Sequence, residues 1–240
     1  MLYDEYLTVA EMQRWILDAD VAWNRIDAAR ALEQPGLLDQ VHDSALIESY
    51  FPVYTTKLVR AMWDQADVTA VFSIQLYESY KHFYGLNRYL EVVNYRPVTE
   101  EELLEVRRRN LEPPVEDPIR ELARYMISEH FAAYYFLRLS RQAREPVLRE
   151  LAFWIAKDEF RHTQFAYDLL EPRVRASEDA RERVLAAGLA FRHIGADVVP
   201  AVPIAEKNDI QAILTLDKKM RRLTGVALHE FAKGEMYANY

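Results

Sequence analysis

The run Asp158-Glu159-Phe160-Arg161-His162 lies inside a segment with helical periodicity. Glu159 and His162 are three residues apart, so both project from one helical face. That face continues through Ala152, Ile155, Ala156, Ala166 and Leu169, all small or apolar. A carboxylate and an imidazole are thereby aimed into a core. An unpaired buried carboxylate costs several kcal/mol or takes up a proton, and a bound metal ion removes that cost. Glu-x-x-His is half of what a carboxylate-bridged di-metal site in a helical bundle requires. Alone the pair is a weak signal, because many such pairs sit on surfaces.

The other half is present upstream. Glu129 shares an apolar face with Leu122, Met126, Ala132, Ala133 and Phe136, and Glu48 shares one with Val41, Ala45 and Phe51. In Tyr77-Glu78-Ser79-Tyr80-Lys81-His82, the histidine lies inward with Phe72, Gln75, Leu86 and Tyr89. Four long helices thus carry, in order, Glu, a His with a nearby Glu, Glu, and Glu-x-x-His. Two imidazoles and several carboxylates suit iron or manganese better than zinc. Asp158, Lys81 and Arg161 flank these motifs. Asp158 either fixes the tautomer of His82 or His162 or is solvated or paired with Arg161. His42, His130, His193 and His229 have no partner pattern and read as structural. Tyr54, Tyr134, Tyr135 and Tyr167 are expected near the bundle interior, with aromatic packing as their default role.

These residues need long helices to hold them, and helical periodicity dominates the chain with no strand-type alternation. A short helix is expected at about 8–19, then helices at about 39–64 and 67–91. Thr99 and Glu102, in capping-box spacing, start a small helix that stops before Pro113-Pro114. Asp117-Pro118 reads as a cap and first-turn proline, opening a helix to about 144. Glu145-Pro146 starts the helix carrying Glu159, expected to end near Pro172. Ser177 caps another to about 198, broken by Pro200 and Pro203, and one or two helices fill about 206–236. The expectation is an all-α, ferritin-like helical bundle: one domain over 1–240, its core at about 39–172, with four metal-carrying helices and extra C-terminal ones.

Composition narrows the function. There is no cysteine, which excludes thiolate metal sites and cysteine nucleophiles. The formal charge of -8, from 30 basic and 38 acidic residues, argues against a nucleic-acid binder. Local basic groups remain: Arg107-Arg108-Arg109, then Arg138, Arg141 and Arg144, then Lys218-Lys219 with Arg221-Arg222. Each is either a solvated helix face or a patch for an acidic partner. Asp4, Glu5 and Glu11 interrupt the first residues, so no signal peptide is expected. No segment approaches the roughly 18 uncharged apolar residues of a membrane span. A soluble, cytoplasmic protein is expected.

With these motifs in place, the chain resembles the ferritin-like di-iron proteins, and within them the soluble acyl-carrier-protein desaturases. Ile47-Glu48-Ser49-Tyr50-Phe51-Pro52-Val53-Tyr54 looks like the stretch in which the first metal glutamate is followed one turn later by proline. Glu129, then Arg141-Gln142-Ala143, then Asp158-Glu159-Phe160-Arg161-His162 is similar to the family's second half. Two departures stand out. In the family's first half an acid precedes Glu-x-x-His; here Glu78 matches the acid and His82 the histidine, but Ser79 occupies the ligand position. Either Glu78 takes over ligation, or one metal position is weakened or lost. Ala132 and Ala133 stand where many oxygen-activating relatives carry a threonine.

The resemblance implies a metal set of Glu48, Glu78, His82, Glu129, Glu159 and His162. It implies two iron ions, with manganese an alternative, and an O2-dependent oxidation of an apolar chain, in the first instance desaturation of an acyl group on acyl carrier protein. It also implies a homodimer. An external electron donor of ferredoxin type is needed, since the chain lacks a dinucleotide motif such as G-x-G-x-x-G. Rival readings are an aldehyde-deformylating oxygenase or an N-oxygenase on the same scaffold, a degenerate metal-binding bundle without catalysis, and a structural bundle without metal.

Overall fold

The computed structural model describes residues 2–109, 114–199 and 209–238. Eleven α-helices occur among them: α1 Leu2–Gln13, α2 Leu17–Asp20, α3 Ala28–Leu32, α4 Pro35–Ala61, α5 Ala66–Val92, α6 Glu100–Arg109, α7 Pro118–Gln142, α8 Pro146–Ala176, α9 Glu178–Leu189, α10 Ile210–Thr224 and α11 Leu228–Ala238. The described residues contain no strand. None of their helices is long and apolar enough to cross a membrane.

Four helices of 25–31 residues, α4, α5, α7 and α8, form the core. α4 packs along α5 and α7 along α8, and the two pairs meet through α5 against α8 and α4 against α7. A long connection containing α6 joins the pairs, as in bundles with one crossover. α9 and α10 cover the α7–α8 side, α11 packs on α9 and α10, and α1 lies against α5. Gly85, one turn beyond His82, allows this closeness. A Cβ there would stand 3.2 Å from Leu151 Cδ1 on α8 and 3.3 Å from Leu17 Cδ2 on α2.

The helix starts follow local chemistry. Thr99 N–H donates to Glu102 Oε2 at 2.9 Å and Glu102 N–H to Thr99 Oγ1 at 3.3 Å, a reciprocal capping box. The Asp117 carboxylate accepts from the amides of Ile119 and Arg120, and Ser177 Oγ from that of Ala180. The first helix starts at Leu2, not about 8, and α4 at Pro35, not about 39, and three C-terminal ends differ from the sequence-based expectation. The first helix stops at Gln13, not about 19, because Trp15 turns inward to 2 % exposure and Asp20 Oδ2 accepts the Ile16 N–H at 2.7 Å. α8 passes through Pro172 to Ala176. The Arg173 guanidinium donates to the Leu169 carbonyl, while Leu169, Leu170 and Val174 hold this turn in the core. The helix after Ser177 ends at Leu189, because the chain then bonds elsewhere: Ile194 N–H to Ser128 Oγ, and Gly195 N–H to His193 Nδ1 at 2.9 Å. The breaks expected at Pro113, Pro200 and Pro203 lie outside the described residues.

Candidate metal centre

The helices bring two groups of ligand-type side chains to the centre of the bundle: Glu48, His82 and Glu159, and Glu129, Glu159 and His162. In each group the donor atoms lie within 4.8 Å of one another. Glu48 comes from α4, His82 from α5, Glu129 from α7, and Glu159 and His162 from α8. Glu159 belongs to both groups. Its Oε1 lies 3.0 Å from His82 Nδ1 and its Oε2 3.0 Å from His162 Nδ1. Glu48 Oε2 is 3.3 Å from His82 Nδ1, and Glu129 Oε2 is 3.0 Å from His162 Nδ1. All five are at most 4 % exposed. On α4, Pro52 follows Glu48 by one turn, without a donor for the Glu48 carbonyl, and the helix continues through it.

The outer nitrogen of each histidine faces an acid from the opposite half. His82 Nε2, on α5, lies 3.0 Å from Asp158 Oδ2 on α8. His162 Nε2, on α8, lies 2.7 Å from Glu78 Oε2 on α5. Arg161 ties these two acids together, its Nη2 donating to Glu78 Oε1 at 2.6 Å and to Asp158 Oδ1 at 2.8 Å. Lys81 Nζ stands 3.2 Å from Asp158 Oδ2, to which Trp15 Nε1 donates at 2.7 Å. Asp158 therefore both holds His82 and pairs with Arg161, and it is buried, not solvated. The sequence placed Glu78 among the ligands; the structure places it outside both groups, behind His162.

Ser79 occupies the inward position one residue after Glu78 and is buried. Gln75, one turn earlier, fills the space beside it. Its Nε2 donates towards Ser79 Oγ at 3.3 Å and Glu129 Oε2 at 3.4 Å, and its Oε1 accepts from the Tyr125 hydroxyl. A neutral amide and hydroxyl thus stand on α5 where α8 has Glu159. The Trp15 contact and the polar contacts of Gln75, itself placed inward by the sequence, are what sequence reasoning missed. The partners of Gln75 could have been suspected from its place on an apolar face four residues before Ser79. Trp15 gave no signal, being 143 residues from Asp158.

The electrostatics follow from five buried carboxyl groups, Glu48, Glu78, Glu129, Asp158 and Glu159, set against only two permanent cations, Lys81 and Arg161. Protons and metal ions compete to offset that surplus. Burial, and then the neighbouring charge of Glu159, pushes Glu48 up to about 7 and holds Glu129 well above the carboxylate range. Burial opposes ionisation of Glu159 as well, but His162 and His82 outweigh it and hold Glu159 below the usual range. The same contest lowers Asp158, through His82, Lys81 and Arg161, and Glu78, through His162. For His82 burial disfavours the charge, but its contacts with Asp158, Glu159 and Glu48 raise its pKa well above 6.5. Glu159, Glu129 and Glu78 do the same for His162. Two imidazole nitrogens and three carboxylates, each histidine oriented from behind by an acid, form a donor set that fits two hard-to-intermediate divalent ions.

The remaining histidines are structural. His130 Nε2 donates to the Ala212 carbonyl at 2.8 Å, and His193 caps a turn. His42 is buried next to Asp43 and Glu102, and His229 pairs with Asp217. Tyr54 is fully buried, its hydroxyl donating to Glu121, while Tyr134, Tyr135 and Tyr167 are half-buried.

No protein-family model and no curated protein sequence matches this chain. Solved structures do. Two are variants of an R2-like ligand-binding oxidase. One, with an anaerobically reconstituted Mn/Fe cofactor, gives a TM-score of 0.61 at 14 % identity, over 95 % of this chain and 93 % of that one. The other, with an aerobically reconstituted Mn/Fe cofactor, gives 0.58 at 13 % identity, over 95 % and 94 %. At such identities the likeness establishes the fold, a ferritin-like helical bundle shared over nearly the whole length.

Proposed function

We propose that this protein is an O2-dependent oxidoreductase with a two-metal centre, of two iron ions or a manganese–iron pair, held by Glu48, His82, Glu129, Glu159 and His162. The observation that carries the reading is the split of Glu159, one oxygen towards each histidine nitrogen, as a carboxylate bridging two ions requires. When bound, the metals supply the reductive activation of O2. The protein's own part is to orient and insulate. Asp158 and Glu78 fix the two rings so that Nδ1 faces the centre, Arg161 locks these acids, and the surrounding core keeps water away. The R2-like oxidases share this fold and carry Mn/Fe, which supports including manganese.

An apolar chain is the substrate class we favour. A groove of about 600 Å³ between α1, α2 and α5, with Leu7, Ala10, Ile16, Leu17, Ile74 and Tyr77 in its walls, reaches down to Glu78 and Lys81, which touch the site's own side chains. Among apolar chains, the desaturase-like motifs around Glu48 and Glu159 favour an acyl group on its carrier protein, with electrons from an external ferredoxin-type donor. Protein loaded anaerobically with Fe(II), or with Fe(II) and Mn(II), should consume O2 when given reductant and acyl carrier protein. Free aldehyde and aryl amine run in parallel test the deformylating and N-oxygenase readings, and turnover of aldehyde alone would replace the desaturase reading. Ser79 favours a second reading, a metal-binding bundle without turnover. Metal uptake with no O2 consumption under any condition would establish that one.

A further inference from the structure

The basic cluster Lys218, Lys219 and Arg222 plays no part in the metal centre. It lines a groove between α7, α8 and α10, of about 360 Å³, together with Tyr134, Phe160 and Tyr167. The volume falls in the range of small-ligand pockets, about 300–1,000 Å³. Among the described residues none of the three cations forms an ion pair within 4.0 Å. The acids on α10 and its neighbour are committed elsewhere: Asp217 to His229 and Glu230 to Arg221. Asp168 of α8 faces Lys219 from beyond ion-pair distance, and its carboxylate accepts from Gln164 Nε2 at 2.8 Å. Lys219 is half-buried, its Nζ 5.6 Å from the centre of the Tyr167 ring, and burial lowers its pKa. His130 adds no charge here, since burial pushes its pKa down to about 4.

Lys218 and Arg222 are exposed and Lys219 half-buried, and together they concentrate positive charge on a protein of formal charge -8, which favours an anion at this groove. The rings beside them are fixed. Phe160 packs edge-on to Tyr134 with centroids 5.3 Å apart, and the Tyr134 hydroxyl lies 2.9 Å from Thr215 Oγ1. Cations set beside preset aromatic rings, with Lys219 over the Tyr167 ring itself, match a ligand that joins an anion to a flat ring. We propose that this groove binds a small heteroaromatic phosphate ester of mononucleotide size, its phosphate on Lys218, Lys219 and Arg222 and its ring against Tyr134, Phe160 and Tyr167. The site lies on the outer side of the helix pair whose inner side carries Glu129, Glu159 and His162. It does not depend on the metal reading.

The test is equilibrium dialysis of metal-free full-length protein against FMN and AMP, with inorganic phosphate as competitor at constant ionic strength. At least one mononucleotide should saturate near one per chain and bind at least about 10-fold more tightly than phosphate, a difference of about 1.4 kcal/mol. Lys219→Gln combined with Arg222→Gln should weaken it at least about 10-fold. Tyr167→Ala should erase the preference over phosphate, and Arg60→Gln on α4 should change nothing. Arg222 is exposed, so its single variant tests the site if the double variant fails to fold. No saturable uptake of either nucleotide at millimolar concentration would overturn the proposal. So would phosphate binding as tightly as both, or basic-residue variants that bind like the wild type.

Discussion

The two halves of the bundle, α4 with α5 and α7 with α8, carry nearly the same chemistry in the same order. Each offers a glutamate on its first helix, Glu48 or Glu129. Each offers, on its second, an acid four residues before a histidine: Glu78 before His82, Asp158 before His162. In both, the acid reaches across to orient the other half's ring. They differ at the residue after the acid. The second half has Glu159, which both groups share; the first has Ser79, backed by Gln75. The pairing of halves is reciprocal, but one side chain, Glu159, belongs to both groups.

The sharpest way to break this comparison is to remove that side chain. Glu159→Ala should abolish metal binding, whereas Glu48→Ala and Glu129→Ala should each leave one ion per chain. Metal analysis after anaerobic loading checks this, and a Glu159 variant no worse than the other two would end the claim of sharing. Next in size are the crossed acids. Asp158→Asn and Glu78→Gln should each lower metal affinity roughly 10- to 100-fold, the usual cost of losing the group behind a ligand. Imidazole ¹⁵N spectra should show the first acting on His82 and the second on His162. Asp158→Asn should also destabilise the metal-free protein by about 3–5 kcal/mol, because Lys81 and Arg161 lose a buried partner.

A pH series sharpens the account. In the metal-free protein His82 and His162 keep protons well above the ordinary 6.5, and Glu48 keeps its own to about 7. Around neutral pH the native chain therefore binds more protons than the unfolded one, and its stability falls as pH rises through about 7, where Glu48 titrates, and on beyond the ordinary histidine value towards those of His82 and His162. Metal affinity rises over the same interval as ligand protons are displaced. Denaturation and metal titrations at several pH values follow both trends. Equalising the halves is the smallest change. Ser79→Glu alone should cost about 1–3 kcal/mol, since it crowds Gln75. Combined with Gln75→Ala, it should tighten metal binding by about 10-fold, or 1.4 kcal/mol, as measured by competition with a chelator.

Much of this was legible in the sequence, because the ligand-type side chains of the two groups lie on apolar helix faces where a charged residue stands out. Glu48, His82, Glu129, Glu159 and His162 were all selected that way, and the structure brings them together. Glu78 resisted the same reading. Residues three and four before a histidine both share its face, so spacing alone could not say whether Glu78 joins the two groups or, as here, meets the far nitrogen of His162. Trp15 was illegible because its place is set by Asp158, far along the chain, and that long-range hydrogen bond also overrode the helical pattern expected to about residue 19. The continuation of α8 past Pro172 was missed for a related reason: burial of Leu169, Leu170 and Val174 outweighs the loss of one backbone donor.

The central claim is that the bundle holds two metal ions with Glu159 between them. The most direct measurement is metal content per chain after anaerobic reconstitution with equimolar Fe(II) and Mn(II) and removal of loosely bound ions, for the wild type beside Glu159→Ala. The account predicts about two ions per chain in the wild type and none in the variant. A wild type that retains no metal, or a variant that retains as much, would contradict it.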